Sequence, residues 1–281
     1  MPELPEVQTL VNDLNAAGLA GVTFTGTRVS WHRSIAAPGL RDFKRRIRFK
    51  TIGAIRRRGK FLVFDLAPED HLLIHLRMSG RLHLVPRGTA RSPHEHVVLE
   101  LDNTYELRFH DTRKFGRVFL VSDPASVLGR LGPEPLETSF GAESLGEILS
   151  ARKRLLKPLL LDQSVIAGLG NIYVDEALWE AGLHPCRRSD TLCATEVKAL
   201  SRAIPRVLER GLKNLGTSLG TGKANFYSIA RHRGRNQDDL NVFRRTGTPC
   251  PRCRQPIERL LVGQRSTHIC PRCQSVGRLA R

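Results

Sequence analysis

Two cysteine pairs near the end of the chain, Cys250-x2-Cys253 and Cys270-x2-Cys273, stand sixteen residues apart and constrain its folding more than any other feature. Each pair is a tight knuckle that turns two thiolates toward one point. The amino-terminal stretch is acidic and lacks a basic-then-apolar leader, so an intracellular chain is expected. There the double pair reads as a tetrahedral zinc site rather than as disulfides. Four thiolates close the coordination shell and leave no position for a reacting water, so the ion, one Zn2+, is structural. Between the knuckles, "IERLLVGQRSTHI" reads as two short strands around a Gly-Gln turn, a zinc-stapled hairpin. Cys186 and Cys193 show no such pattern and read as small buried hydrophobes.

Charge narrows the partner. Lys plus Arg is 45 against 27 Asp plus Glu, a net +18. The excess is densest at "KRRIRFK", "RRRGK", "ARKRLLK", "ARHRGR" and the last forty residues. An excess spread over so much chain points to a polyanion, nucleic acid first. No apolar run approaches the roughly 18 residues of a membrane helix, and no strong amphipathic basic helix suggests a membrane surface.

The hydrophobic period changes along the chain. Residues 5–17 read as a helix, with Pro5 in its first turn and Val7, Leu10, Val11 and Leu14 on one face. Residues 22–121 are short alternating runs separated by turns, the pattern of a β-sandwich or barrel. "LGRLGPEPLETSFGAES" reads as a linker, and helical periods occupy residues 143–215, where Pro205 is expected to kink or divide the last helix. Residues 217–243 read as a long functional loop. The expected fold is α+β and multidomain. A β-sandwich domain with an amino-terminal helix covers 1–130. A helical domain covers 143–240 and a zinc finger covers 243–281.

The chain opens "MPELPEV". Removal of Met1 makes Pro2 the free amino terminus. An α-amine titrates near about 8 and a lysine near about 10.4, so at neutral pH the terminus is the better nucleophile. A secondary amine forms an iminium ion with a sugar carbon that has lost its substituent, and that ion acidifies the neighbouring C2′ proton. Glu3 beside it is placed to move protons. The plain alternative is that Pro2 only permits methionine removal and Pro5 starts a helix. Lys60, in "RRRGKFLVF", sits at a Gly turn where a strand begins and can serve the same site or be a solvated turn residue.

Taken together, the chain resembles the formamidopyrimidine-DNA glycosylase family of base-excision repair enzymes over nearly its whole length. "PELPEV", "RRRGKFL", "HLRMSGRL", "DTRKFG", "LGPEPL", "LLLDQSVIAGLGNIYVDEALW" and "CPRC…GQRSTHICPRC" match family motifs in the family's order. The resemblance is to the oxidised-purine branch more than to the endonuclease VIII branch. It implies a bifunctional glycosylase and AP lyase that excises 8-oxoguanine and formamidopyrimidines and cuts by β,δ-elimination. It also implies a helix–two-turn–helix fold for the middle domain, with a DNA groove between domains. Pro2 is then the Schiff-base nucleophile, Glu3 the acid, and Lys60 a phosphate contact that aids β-elimination. Arg265 binds phosphate and assists δ-elimination. The alternatives are an endonuclease VIII-like enzyme for oxidised pyrimidines and a non-catalytic zinc protein that binds damaged DNA.

The same resemblance implies DNA contacts at His94, Arg113, Arg152 and Asn171. It makes Met78, Arg113 and Phe115 the trio that fills the gap left by an extruded nucleotide. Core packing of Met78 and Phe115, a surface charge at Arg113 and a helix cap at Asn171 are the plain alternatives. The partner is double-stranded DNA with oxidised bases, the chain a monomer, and the location bacterial cytoplasm with nucleoid association. This chain departs from the family pattern at Gln8, Lys114 and Arg152, and most in the 217–243 loop, which helps enclose the extruded base in the family.

Overall fold

The structure is a computed structural model that describes residues 2–219, 226–229 and 232–275. Met1, parts of the 217–243 loop and the last residues of the zinc segment lie outside the described residues. The chain divides into two compact units. One comprises Met1–Arg130 with Leu215–Gly234, the other Leu131–Asn214 with Arg235–Arg281.

The first unit begins with α1 (Leu4–Ala16). It continues through β1 (Phe24–Val29), β2 (Ile35–Ala37), α2 (Leu40–Ile47), β3 (Thr51–Arg58), β4 (Phe61–Ala67) and β5 (Asp70–His75). Next come β6 (Gly80–Pro86), β7 (Glu95–Leu101), β8 (Tyr105–Asp111), β9 (Arg117–Val121) and the short α3 (Ala125–Leu128). One sheet has the order β1-β7-β8-β6 and is antiparallel. The other has the order β2-β9-β5-β4-β3, and only β2 lies parallel to its neighbour. Period-two alternation sends Leu82, Leu107 and Phe109 of the first sheet into one core with Leu62, Phe64, Leu72 and Ile74 of the second. Val7, Leu10, Val11 and Leu14 of α1 pack on that core. The unit is thus the sandwich that the alternation predicts. Each such side chain, fully buried, contributes roughly 1.5–3 kcal/mol.

Register gathers several turns at one end of the sandwich. Phe61, which follows Lys60, pairs with His75, and His75 pairs with Arg117. Gly80 pairs with Asp111, and Glu95 with His110. The turns that carry Lys60, Met78, His94 and Arg113–Phe115 therefore share that end. The alternating pattern predicts only strands between residues 22 and 121, yet α2 forms there. Only Phe43 and Ile47 of its eight residues are buried, four positions apart among cations.

The second unit contains α4 (Ala142–Ser150), α5 (Leu156–Leu160), α6 (Asn171–Ala181) and α7 (Ala194–Lys213), then the hairpin β10 (Glu258–Val262) and β11 (Arg265–Ile269). The α7 helix runs unbroken through Pro205. A buried stripe of Leu200, Ala203, Ile204, Val207 and Leu208 surrounds that position. Its packing outweighs a proline penalty of about 3 kcal/mol. The hairpin turn is Gly263-Gln264 with φ of 55° and 60°, the mirror-image geometry that a two-residue hairpin requires. Among the described residues no helix is long and apolar enough to cross a membrane.

Candidate functional site

The amino terminus is fixed by its own helix. Glu3 stands at the N-cap of α1 and is 2% exposed, while Pro2 is half-buried. Glu6 reaches back one turn, and its Oε2 accepts the Glu3 N–H at 2.8 Å. The other oxygen of Glu6 accepts the backbone N–H of Thr217 at 2.7 Å. Gly216 makes this possible: its φ is 80°, and a Cβ there would lie 2.8 Å from Glu6 Cγ. Glu6 is thus both a first-turn acid and the clasp between the amino terminus and the segment after α7.

Lys60 lies in the two-residue turn Gly59-Lys60 between β3 and β4. It is 5% exposed, so it is not a solvated turn lysine. Arg57 braces the turn through its bond to Gly59 O at 3.0 Å and is itself held by Gln8 Oε1 at 3.0 Å. The Gln8 amide is oriented by Nε2–H donation to Asn12 at 2.9 Å. A chain of polar side chains therefore ties α1 to the Lys60 turn. Beneath it, the His75 ring packs edge-on to Phe61, and its Nδ1 accepts the Arg77 N–H at 3.0 Å. Burial, with the charges of Arg77 and Lys60, pushes His75 down to about 3, so the imidazole is neutral, as its acceptor role requires.

At the same end of the sandwich, Met78 and Phe115 are each 47% exposed, large apolar side chains held out of the core. The Arg113 guanidinium lies 4.8 Å from the Phe115 ring centroid. The organiser of these loops is Asp111, fully buried, a residue that no sequence motif singles out. Its carboxylate accepts from Ser79 Oγ, from Arg113 N at 3.2 Å and from Gly116 N at 2.7 Å. One side chain so links the loop after Met78 to the loop of Arg113 and Phe115. Lys114 places its ammonium 4.3 Å from the Trp31 ring centroid, a second brace. His94 is exposed, with φ 70°, and its ring lies 5.8 Å from that of His110.

A cavity of about 460 Å³ lies in the same unit, on the sheet face that carries Arg81, His83 and Arg108. Its walls include Ser92, Glu95 and, from the 217–243 loop, Tyr227, Ser228 and Ile229. Arg108 is committed to Glu95 and Glu106. The loop wall is anchored, because Ser218 Oγ donates to Phe226 O and accepts from Gly234 N at 3.0 Å.

In the second unit Asn171 is the first residue of α6, but Gly170 takes the cap position. The Asn171 amide instead donates to Ser266 O of β11 at 2.9 Å, and its Oδ1 is buried without a partner. Lys157, fully buried, donates to the same Ser266 O at 2.9 Å and to Asp175 at 2.6 Å. Asp175 in turn accepts from the His268 N–H at 2.9 Å. The hairpin is therefore bolted to α5 and α6 beside Arg265, which is exposed at the turn end of β11. Arg152 spends one guanidinium nitrogen on Ile148 O at 2.9 Å, at the carboxyl end of α4.

Cys250, Cys253, Cys270 and Cys273 bring their sulfurs within 4.8 Å of one another. Tetrahedral zinc with bonds near 2.3 Å sets sulfurs about 3.8 Å apart. Cys250 and Cys273 stand 3.9 Å apart, and Cys253 and Cys270 3.3 Å. Burial pushes the Cys250 thiol up, but the amides of Cys253 and Arg252 outweigh it and bring it to about 6. Burial and the neighbouring thiols push Cys273 up, a conflict that a divalent cation relieves. The donor set fits one structural zinc ion.

Family descriptions match in the same order as these elements. "Formamidopyrimidine-DNA glycosylase N-terminal domain" covers residues 1–118, the corresponding "H2TH domain" 131–222, and "Zinc finger found in FPG and IleRS" 247–276. The formamidopyrimidine-DNA glycosylase of Protochlamydia amoebophila is 48% identical over 274 residues, with 98% of this chain and 99% of that protein covered. This chain belongs to the formamidopyrimidine-DNA glycosylase family. The Herpetosiphon aurantiacus member is 44% identical, with 98% of this chain and all of that protein covered. Among solved structures of the family, a complex between a Lactococcus lactis FPG mutant and DNA containing Fapy-dG superposes with a TM-score of 0.90. Identity there is 34%, over 98% of this chain and 100% of that one. A complex of the same bacterium's enzyme with DNA containing an abasic site gives 0.89 at 34%, over 97% of this chain and 99% of that one. The α+β fold of sandwich, H2TH helices and zinc hairpin is that of the family.

Proposed function

We propose that this chain is a bifunctional DNA glycosylase and AP lyase that excises oxidised purines, 8-oxoguanine and formamidopyrimidines, from double-stranded DNA. The observation that carries the reading is the clasped amino terminus: Pro2 beside a buried Glu3 whose backbone Glu6 holds in place. With Met1 removed, the Pro2 amine attacks C1′. The glycosidic bond breaks, and the base leaves with a proton that Glu3 helps to deliver. The amine gives up its proton, the C1′–O4′ bond opens as O4′ takes a proton, and the nitrogen lone pair forms an iminium with C1′ that acidifies C2′–H. Loss of that proton expels the 3′ phosphate, a second elimination expels the 5′ phosphate, and water releases the sugar fragment from Pro2.

The remaining residues serve this sequence. Lys60, braced through Arg57 and Gln8, contacts phosphate and aids β-elimination. Arg265 binds phosphate and assists δ-elimination from the zinc hairpin. His94, Arg113, Arg152 and Asn171 bind the backbone of the DNA. Met78, Arg113 and Phe115 fill the gap in the stack, which offsets an extrusion cost of a few kcal/mol. The 217–243 loop, whose Tyr227 and Ser228 wall a cavity with Arg81, takes part in enclosing the extruded base. Zinc held by Cys250, Cys253, Cys270 and Cys273 supplies a structural staple and no chemistry to the reaction. The chain acts as a monomer in the cytoplasm, associated with the nucleoid.

Release of free base from duplexes that each carry a single lesion tests the reading. Excision of 8-oxoguanine and formamidopyrimidine, with pyrimidine lesions processed more slowly, is the expected result. Excision confined to oxidised pyrimidines would move the substrate class.

A further inference from the structure

The end of the sandwich opposite Lys60 carries a separate constellation. Phe49 and Lys50 precede the eight-residue β3, and Gly59-Lys60 follows it, so the two ends are roughly 25 Å apart at about 3.3 Å per residue. There α2 buries Phe43 and Ile47 completely. The cations toward the core are matched, since Arg46 of α2 and Lys50 beyond it both pair with Asp70. The outward face is not. Arg41, Lys44 and Arg45 occupy positions i, i+3 and i+4 of α2, Arg48 follows at its extended C-cap, and all four are exposed. Asp42 pairs with Arg45 at 3.0 Å; among the described residues Arg41, Lys44 and Arg48 have no ion-pair partner.

Phe49 ends this stripe. It is 68% exposed and has φ 65°, a region that bulky residues avoid. The conformation is held, because Phe49 N donates to Phe24 O at 2.7 Å and Phe24 N to Lys50 O at 2.9 Å. The Arg48 guanidinium lies 4.7 Å from the ring centroid. Phe49 thus presents its ring to solvent from a left-handed backbone that two hydrogen bonds hold in place.

We propose that the outer face of α2 with Phe49 is a second nucleic-acid site, and that its ligand is a single-stranded segment. A row of cations follows phosphates, and an open aromatic face beside it stacks on an unpaired base. In a duplex the base faces are covered by their neighbours, which leaves Phe49 without a role. This inference rests on the proposed function only in assigning the duplex to the other end of the sandwich. A protein with both sites holds an unpaired strand while a duplex occupies the lesion site.

The test uses the full chain, saturated with an unlabelled duplex that carries an abasic-site analogue, and follows the anisotropy of a labelled short oligothymidine. The oligothymidine binds despite the duplex. Phe49→Ala and the double change Arg41→Glu with Lys44→Glu each weaken that binding by roughly tenfold. Excision of 8-oxoguanine, measured on the same samples, stays at the wild-type rate, which also shows that the variants are folded. The proposal falls if the duplex abolishes oligothymidine binding or if the variants bind it as the wild type does. It falls equally if a second duplex or an acidic peptide displaces the oligothymidine more readily than unlabelled oligothymidine. Retained oligothymidine binding without any excision by the wild type would instead remove the proposed function and leave this site standing.

Discussion

The Glu6 carboxylate accepts the backbone N–H of Thr217 at 2.7 Å, across 211 positions of chain, while its second oxygen holds the N–H of Glu3 at 2.8 Å. One buried side chain therefore sets both the start of α1 and the segment that leads into the cavity wall. Replacing Glu6 by Ala strands two buried N–H groups, each at a cost of about 1–3 kcal/mol. Urea unfolding of Glu6→Ala is expected to show a loss of roughly 2–6 kcal/mol, with base excision slowed more than DNA binding. Glu6→Gln keeps one acceptor and is expected to lose less.

His75 predicts an acid-side loss of stability. Its folded value is about 3, against an ordinary value of 6.5. Between the two the unfolded chain binds the extra proton, so its contribution is whole above the ordinary value and is lost as pH falls toward the folded one. Stability of the wild type is expected to fall with a slope up to about 1.4 kcal/mol per pH unit steeper than that of His75→Gln in this window. Parallel slopes in denaturant titrations would remove His75 as a cause.

Trp179 reports on the zinc site, because it packs against Cys250 and Cys270. Chelation of the ion is expected to shift its emission to the red, release one zinc per chain and abolish retention of lesion duplex. The chain has two tryptophans, and Trp179→Phe leaves only Trp31, so that variant should lose the shift. Cys253→Ala should reproduce the chelated state without chelator.

The cavity wall is expected to govern lesion choice. Arg81→Ala and Tyr227→Ala should change the ratio of kcat/KM between 8-oxoguanine and formamidopyrimidine duplexes by roughly tenfold or more. Cleavage at a pre-formed abasic site, which needs no base recognition, should stay near wild type. A uniform loss on every substrate would assign these residues to folding instead.

The zinc hairpin and the family's opening signature were legible in the sequence because they are local. The CxxC spacing, the Gly263-Gln264 turn and the opening "PELPEV" each lie within a few residues. Features that depend on distant partners were not. Leu215–Gly234 belongs to the first unit through contacts such as Glu6 with Thr217, and no run of residues announces that. Nothing in "HDTRKFG" marks Asp111 as the buried organiser of two loops, although an acid followed by a Gly turn is the signal that could have raised it. The short helix α2 was hidden because its two buried side chains sit in a run of cations, and Pro205 misled because propensity ignores the packing of a twenty-residue helix.

Borohydride trapping on a duplex with 8-oxoguanine opposite cytosine tests the central claim most directly. The account predicts a covalent protein–DNA adduct that Pro2→Gly, or retention of Met1, abolishes. An adduct of undiminished yield in Pro2→Gly, or tight damage binding with no adduct and no base release on any lesion, would contradict it.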